Sequence, residues 1–234
     1  MNKELEFETY LSISPYEFEI YLLDKKNLNN LYENKLIIKH PNNFINFNLL
    51  NVFLDKNIFK IEKMIGMFVE NIVLIIDNNK VINLNFSIKK KNYQNNISKN
   101  FLESMLIDAK DLFAENYHNQ KIMHLIIKKY IIDGNQYLLF NEKLNGDKFC
   151  IEVQFISISN KFLFEIDKVL EKYQIKIIQY FDGNYIRNLF KNQDIHFAEM
   201  IYKVQNGFIE NEVKLIPKNP KNLGFFEKFF QLFS

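Results

Sequence analysis

The chain has 234 residues, 47% of them hydrophobic, with 30 basic and 28 acidic side chains for a net charge of +2, enough apolar material for one substantial domain or two small ones. Arg187 is the lone arginine and Cys150 the lone cysteine, which excludes the arginine-led surface of a nucleic-acid binder, a disulfide framework and a cysteine-based metal site. No apolar run reaches the ~18 residues of a spanning helix, and the acidic start Met1-Asn2-Lys3-Glu4-Leu5-Glu6 is no basic leader, so the body is expected in the cytosol.

Alternating apolar and polar residues predict strands over Glu6 to Ile13 and Glu17 to Leu23, meeting at Ser14-Pro15-Tyr16, and a third over Leu31 to Lys39, together an antiparallel meander. Glu6, Glu8, Glu17 and Glu19 repeat at strand spacing, as on a solvated sheet face. From Phe47 to Phe68 the residues Leu50, Phe53, Leu54, Ile58, Ile61 and Ile65 recur at three and four, the signature of a helix with one buried face. Strands Asn71 to Ile76 and Val81 to Ile88 are expected to form a hairpin around Asp77-Asn78-Asn79-Lys80. Ser98 is placed to cap a second helix carrying Phe101, Leu102, Met105, Ala109 and Phe113. Strands Ile122 to Ile132 and Phe149 to Ile158 flank a loop with Asn145-Gly146-Asp147, and a helix from Phe162 to Tyr173 leads into a strand from Ile175 to Tyr180.

The order strand, helix, strand, strand between Val81 and Ile158 reads as a compact unit inserted between elements that belong together, an α+β arrangement. Residues 1–69 and 159–205 are expected to form one body, 70–158 the inserted module, 206–222 a linker and 223–234 a terminal amphipathic helix. At about 100° per residue, Leu223, Phe225, Phe226, Phe229, Phe230, Leu232 and Phe233 share one half of that helix, with Glu227, Lys228 and Gln231 opposite. Pro217 and Pro220 set it off, and Lys214, Lys218 and Lys221 precede it with no acidic residue between them. The pattern is that of a helix lying on a membrane surface, with Lys218, Lys221 and Lys228 toward the lipid headgroups; the competing assignment is a last core helix.

No catalytic constellation emerges. His40, His118, His124 and His196 are scattered without metal-ligand spacing, no Gly-x-Ser-x-Gly elbow or phosphate loop is present, and Cys150 sits in an apolar strand pattern. No metal, cofactor or catalytic residue is therefore assigned, and Asp133-Gly134 is a turn signal.

The run from Met123 to Gly134 resembles a stretch of FtsA, the actin-like bacterial division protein, in which Leu-His-x-x-Pro-x-x-Tyr-x-x-Asp-Gly is common: His124, Tyr130, Asp133 and Gly134 fit, and Ile127 replaces the proline. Ile97-Ser98 with the helix after it, and Ile151 to Phe155 onward to Tyr180, continue in register. The resemblance implies a partial actin-like 1A-type subdomain, the family's inserted 1C (SHS2-type) module over 70–158, and a tethered amphipathic membrane helix. The family's phosphate loop has Ser12, Ser14 and Pro15 at its matching positions, and a second actin-like half, with its surface for FtsZ, has no counterpart after Arg187, so neither ATP nor FtsZ binding is carried over. What it implies is a non-catalytic division adaptor, peripheral on the inner membrane, with FtsA or inner-membrane division components as partners. The alternative is a pilus or secretion assembly adaptor of the PilM type at the same membrane face; an enzyme using a cleft between the two bodies is the third reading.

Overall fold

The structure, a computed structural model, describes residues 6–41, 43–93, 97–140 and 144–214. Along the chain it forms β1 (Phe7–Ile13), β2 (Glu17–Asp24), β3 (Asn29–Ile37), α1 (Phe47–Ile65), β4 (Asn71–Ile76), β5 (Ile82–Lys91), α2 (Lys99–Asn116), β6 (Gln120–Ile132), β7 (Asn135–Tyr137), β8 (Lys148–Ser159), α3 (Asn160–Glu171), β9 (Lys176–Asp182), α4 (Gly183–Leu189) and α5 (Phe197–Gln205). The fold is α+β. Among the described residues the strands divide into a mixed sheet in the order β3-β2-β1-β4-β9 and an antiparallel sheet in the order β5-β8-β6-β7.

In the first sheet β1 and β2 are antiparallel and continue into β3, whereas β4 and β9 run parallel to β1. Parallel strands with helices on both faces read as continuous apolar runs, and β4, Asn71-Ile72-Val73-Leu74-Ile75-Ile76, is such a run, buried along nearly its whole length. One face packs Leu11, Ile20, Leu74 and Ile76 against α1 and α3. The other packs Tyr10, Tyr21, Val73 and Phe181 against Ile186 of α4 and Ala198, Ile201 and Val204 of α5. The second sheet buries Leu125, Ile151, Val153 and Phe155 against Met105, Ala109 and Phe113 of α2. Met123, Ile126, Ile156 and Ile158 join the first sheet's core, so the two sheets share one apolar junction.

Local chemistry sets the helix ends. Asn46 Oδ1 accepts the Leu49 N–H at 3.1 Å to start α1, and Gly66 ends it at φ 69°, a left-handed conformation that glycine adopts without a Cβ penalty. Ser98 Oγ accepts the Phe101 N–H at 3.2 Å to cap α2.

Four expectations are corrected. Asn71 to Ile76 and Val81 to Ile88 form no hairpin: β4 and β5 lie in different sheets, because β4 is apolar on both faces and sits between β1 and β9. Asn78 still makes a turn, its Oδ1 accepting the Lys80 N–H at 2.9 Å, but the turn redirects the chain from one sheet to the other. Hence the second sheet begins at Ile82, and the division at residue 70 takes from the first sheet a strand that belongs to it. The glutamates of the opening strands do not mark a solvated face: Glu19 is buried, and α4 and α5 cover that side. Finally, the first part of the 206–222 linker is docked, since residues 211–213 run antiparallel along β6.

Candidate functional site

The sheets meet at two strand edges. Among the described residues β9 ends the first sheet with β4 as its neighbour; β6 pairs with β8 along its length, with irregularities at Met123 and Lys128, while on its other side β7 covers Tyr130 to Ile132. Alternate backbone groups of an edge strand point away from its single neighbour and are free to pair with another chain. Gln120 to Met123 of β6 and Ile178 to Phe181 of β9 line a cavity of about 380 Å³, bounded also by Phe113 and Tyr117 at the end of α2, by Val204 and Gln205 of α5, and by Glu212 to Lys214. Apolar side chains make much of the lining, and Lys110, Lys121 and Lys214 bring positive charge to it. The Lys121 ammonium lies 5.9 Å from the Tyr180 ring centroid, joining the two strands across the groove.

A buried polar tie holds these edges in place. His124 is 1% exposed. Its Nε2 accepts the backbone N–H of Asp182 at 2.9 Å, so that nitrogen carries no proton and Nδ1 is the donor to Glu212 Oε1, 2.6 Å away. The tautomer is thus assigned from the network, and the contact to Glu212 is a charge-assisted hydrogen bond. Glu212 Oε2 accepts the Tyr185 hydroxyl at 3.1 Å, and the Tyr185 ring packs 4.4 Å from that of His124. Burial, then the Glu212 charge, raises the Tyr185 pKa, which keeps the phenol protonated and donating. Burial also lifts the Asp182 carboxyl above the ordinary carboxylate range. One imidazole therefore links β6, the end of β9 and the segment after α5.

That segment already uses one of the edges. The Ile127 N–H donates to the Asn211 carbonyl at 2.8 Å and the Val213 N–H donates to the Leu125 carbonyl at 2.8 Å, around an antiparallel bridge between Ile126 and Glu212. Within the groove the side-chain amide oxygens of Gln120 and Gln205 are enclosed and accept no hydrogen bond among the described residues. An enclosed acceptor without a donor costs about 1–3 kcal/mol. Among the described residues the groove thus combines strand-edge backbone without a pairing partner and apolar walls, which suit an extended peptide.

No protein-family model matches the chain. It is 32% identical over 129 residues to the uncharacterized protein UU049 of Ureaplasma parvum serovar 3, across 55% of this chain and 67% of that protein. The chain belongs to the UU049 family. Among solved structures it is similar to the PilM-PilN type IV pilus biogenesis complex (10% identity, TM-score 0.45, 79% of this chain and 49% of that one). It is similar also to the cytoplasmic domain of EpsL, an inner-membrane component of the type II secretion system of Vibrio cholerae (9%, 0.36, 77% and 57%). A third is a Bacteroides thetaiotaomicron protein with an actin-like ATPase fold (13%, 0.32, 79% and 55%). The chain spans about half the length of each of these solved structures.

In this member of the UU049 family, the residues singled out from sequence separate. His124 stands at the groove. Tyr130, six residues along β6, packs in the second sheet's core against Phe140 and Phe149. Asp133, at φ 48°, and Gly134, at φ 90°, form the β6–β7 turn, where the Asp133 carboxylate accepts the N–H groups of Asp147 and Lys148 at 3.1 and 2.9 Å. The set is therefore not brought together. At the same C-terminal end of β1, β4 and β9 as Asp182, Ser14 Oγ accepts the N–H groups of Tyr16 and Glu17 at 3.1 and 2.9 Å, and Arg187 pairs with Asp77 beside Glu19. Among the described residues no group of three or more His, Cys, Asp or Glu side chains is placed to hold a metal ion, and no helix is long and apolar enough to cross a membrane. Leu223, Phe225, Phe226, Phe229, Phe230, Leu232, Phe233, Lys218, Lys221 and Lys228 lie outside the described residues. Glu212, Tyr185, Asp182, Gln120 and Gln205 were not legible, because the first three reach His124 across 88, 61 and 58 positions and no local spacing marks them.

Proposed function

We propose that the chain is a non-catalytic adaptor at the cytoplasmic face of a membrane, and that it binds an extended segment of a membrane-anchored partner in the groove between β6 and β9. The observation that carries this reading is the strand addition of residues 211–213 to β6, beside the groove lined by Gln120 to Met123 and Ile178 to Phe181. A partner backbone beside that segment would pair with a strand edge, with Ile122 and Ile178 taking its apolar side chains. The membrane side of the proposal is supported by the sequence pattern of Leu223 to Ser234 and the lysines before it.

Two systems fit the same adaptor chemistry. The motif around His124 to Gly134 supports an actin-like, FtsA-like division role with FtsA or inner-membrane division components as partners. The groove, shaped for a short extended peptide, favours a PilM-type role in pilus or secretion assembly, with the N-terminal segment of an inner-membrane component as ligand. A photo-crosslinking residue at Ile178 in the full chain, expressed in its own cells, distinguishes them. The expected result is an adduct with a membrane-fraction protein, abolished when Ala114→Trp, on the groove wall at the end of α2, fills the groove, and mass spectrometry of the adduct names the system. Adducts with soluble proteins alone, or adducts unaffected by Ala114→Trp, would overturn the proposal.

A further inference from the structure

The solvent face of α1 is unusual for a helix that covers a core. Its inner side buries Leu50, Phe53, Leu54, Asn57, Ile58 and Ile61. Its outer side is not the expected polar stripe: Leu49, Val52, Lys56, Phe59, Lys60 and Lys63 fall within roughly 100° of arc and all are exposed. Phe59 is 70% exposed and Val52 49%, and the stripe runs on through Met64 at 53% to Phe68 at 82%, just past the helix end. Lys56, Lys60 and Lys63 make no ion pair or hydrogen bond among the described residues. The acidic side chains of the helix are engaged away from the stripe. Asp55 accepts the Tyr173 hydroxyl at 2.6 Å, and Glu62 accepts the Val69 N–H at 3.1 Å.

We infer that this outer face of α1 is a second membrane-contacting surface, which rests on an anionic lipid leaflet with Phe59 and Phe68 inserted at the headgroup boundary and the three lysines on lipid phosphates. The composition decides between a lipid and a protein occupant. Cores of protein interfaces are depleted in lysine, whereas helices lying in the membrane interface combine Phe and Leu with lysines whose stems lie along the apolar surface and whose ammonium groups reach the headgroups. The stripe from Leu49 to Lys63 is the outer side of a single helix, and the pocket beside its C-terminal end, lined by Ile58, Glu62, Phe68, Glu70 and Tyr173, lies off that stripe, an arrangement that suits a planar leaflet better than a peptide. Such a contact supplies what one short amphipathic segment lacks, because two weak membrane sites on one chain act together. The inference shares with the adaptor reading the placement at a membrane, and is independent of the groove.

The test is flotation of the full chain with phosphatidylserine-rich and with pure phosphatidylcholine vesicles. Juxtamembrane lysines contribute about 1 kcal/mol each near an anionic surface. Replacing Lys56, Lys60 and Lys63 with Gln is therefore expected to lower partition into phosphatidylserine-rich vesicles about a hundredfold, at 1.4 kcal/mol per tenfold. Phe59→Ser is expected to lower binding by itself, and high salt to shrink the difference between wild type and the lysine variant. All four side chains are exposed, so unchanged thermal unfolding of the variants shows that folding is intact. Phe226→Glu with Phe229→Glu, run in parallel, reports on the terminal segment. Equal flotation of wild type and the α1 variants would overturn the inference while leaving the adaptor reading to its cross-linking test. A dimer in sedimentation velocity that Phe59→Ser dissociates, with vesicle binding unmoved, would overturn it in favour of a protein contact.

Discussion

Glu212→Ala removes the acceptor shared by His124 and Tyr185. The His124 side chain is wholly buried, so its Nδ1–H would be left without a protein partner. A buried donor stranded in this way costs about 1–3 kcal/mol, with the upper part of the range applying to a bond that was charge-assisted. The Tyr185 hydroxyl is less enclosed, and its loss adds the lower part of the same range. The sum is about 2–4 kcal/mol, which for a domain of this size lowers the midpoint of thermal unfolding by roughly 5–15 °C. Glu212→Gln keeps an acceptor toward Nδ1 and is expected to lose about 1 kcal/mol. Urea unfolding with an unchanged m-value measures both variants, and amide exchange at Ile127 and Val213 reports whether the bridge of residues 211–213 has opened. If Glu212→Ala unfolded at the wild-type urea concentration and kept its slow exchange at those two amides, the assignment of His124 and Glu212 as the tie between the sheets would be wrong.

Gly183→Ala would set a Cβ in steric overlap with the carboxylate of Asp77, and is expected to lose about 1–3 kcal/mol in urea unfolding, because the displaced carboxylate is also the partner of Arg187. Asp182 has a folded-state pKa above its ordinary value of 3.8, so the native state holds a proton that the unfolded chain has released, and stability falls as pH rises from there through the raised value. Asp182→Asn keeps the cap on the Asn184 N–H and is expected to gain on the wild type across that pH window, in unfolding experiments run at successive pH values. Cys150 is 7% exposed and burial raises its thiol pKa, so it is expected to react with a thiol reagent only as the chain unfolds; fast labelling of the native protein would contradict its placement. Phe155→Ala, in the second sheet's core against Phe86 and Phe113, is expected to cost about 3–5 kcal/mol by calorimetry or urea unfolding.

Helices with long periodic faces were readable. The spacing of Leu50, Phe53, Leu54, Ile58 and Ile61 locates α1, and Ser98 marks the start of α2. The partition into two sheets was not, because β4 is apolar on both faces and a turn such as Asp77 to Lys80 looks the same whether it closes a hairpin or leads to another sheet. Both α4 and α5, at 7 and 9 residues, are too short for a helical period to show, yet they cover the face that the glutamate spacing placed in solvent. Of the groove, sequence singled out His124 through a motif match and gave no reason for its burial. The reason is tertiary: each ring nitrogen finds its partner on a different element.

The most direct test of the adaptor account is amide hydrogen exchange of the full chain with and without synthetic peptides from the N-terminal segments of inner-membrane pilus-assembly and division proteins. The account expects a binding peptide to slow exchange at Ile178 to Phe181 and Gln120 to Met123, and expects Ala114→Trp to abolish that protection. Peptides that bind while protecting only residues away from both strand edges would contradict it.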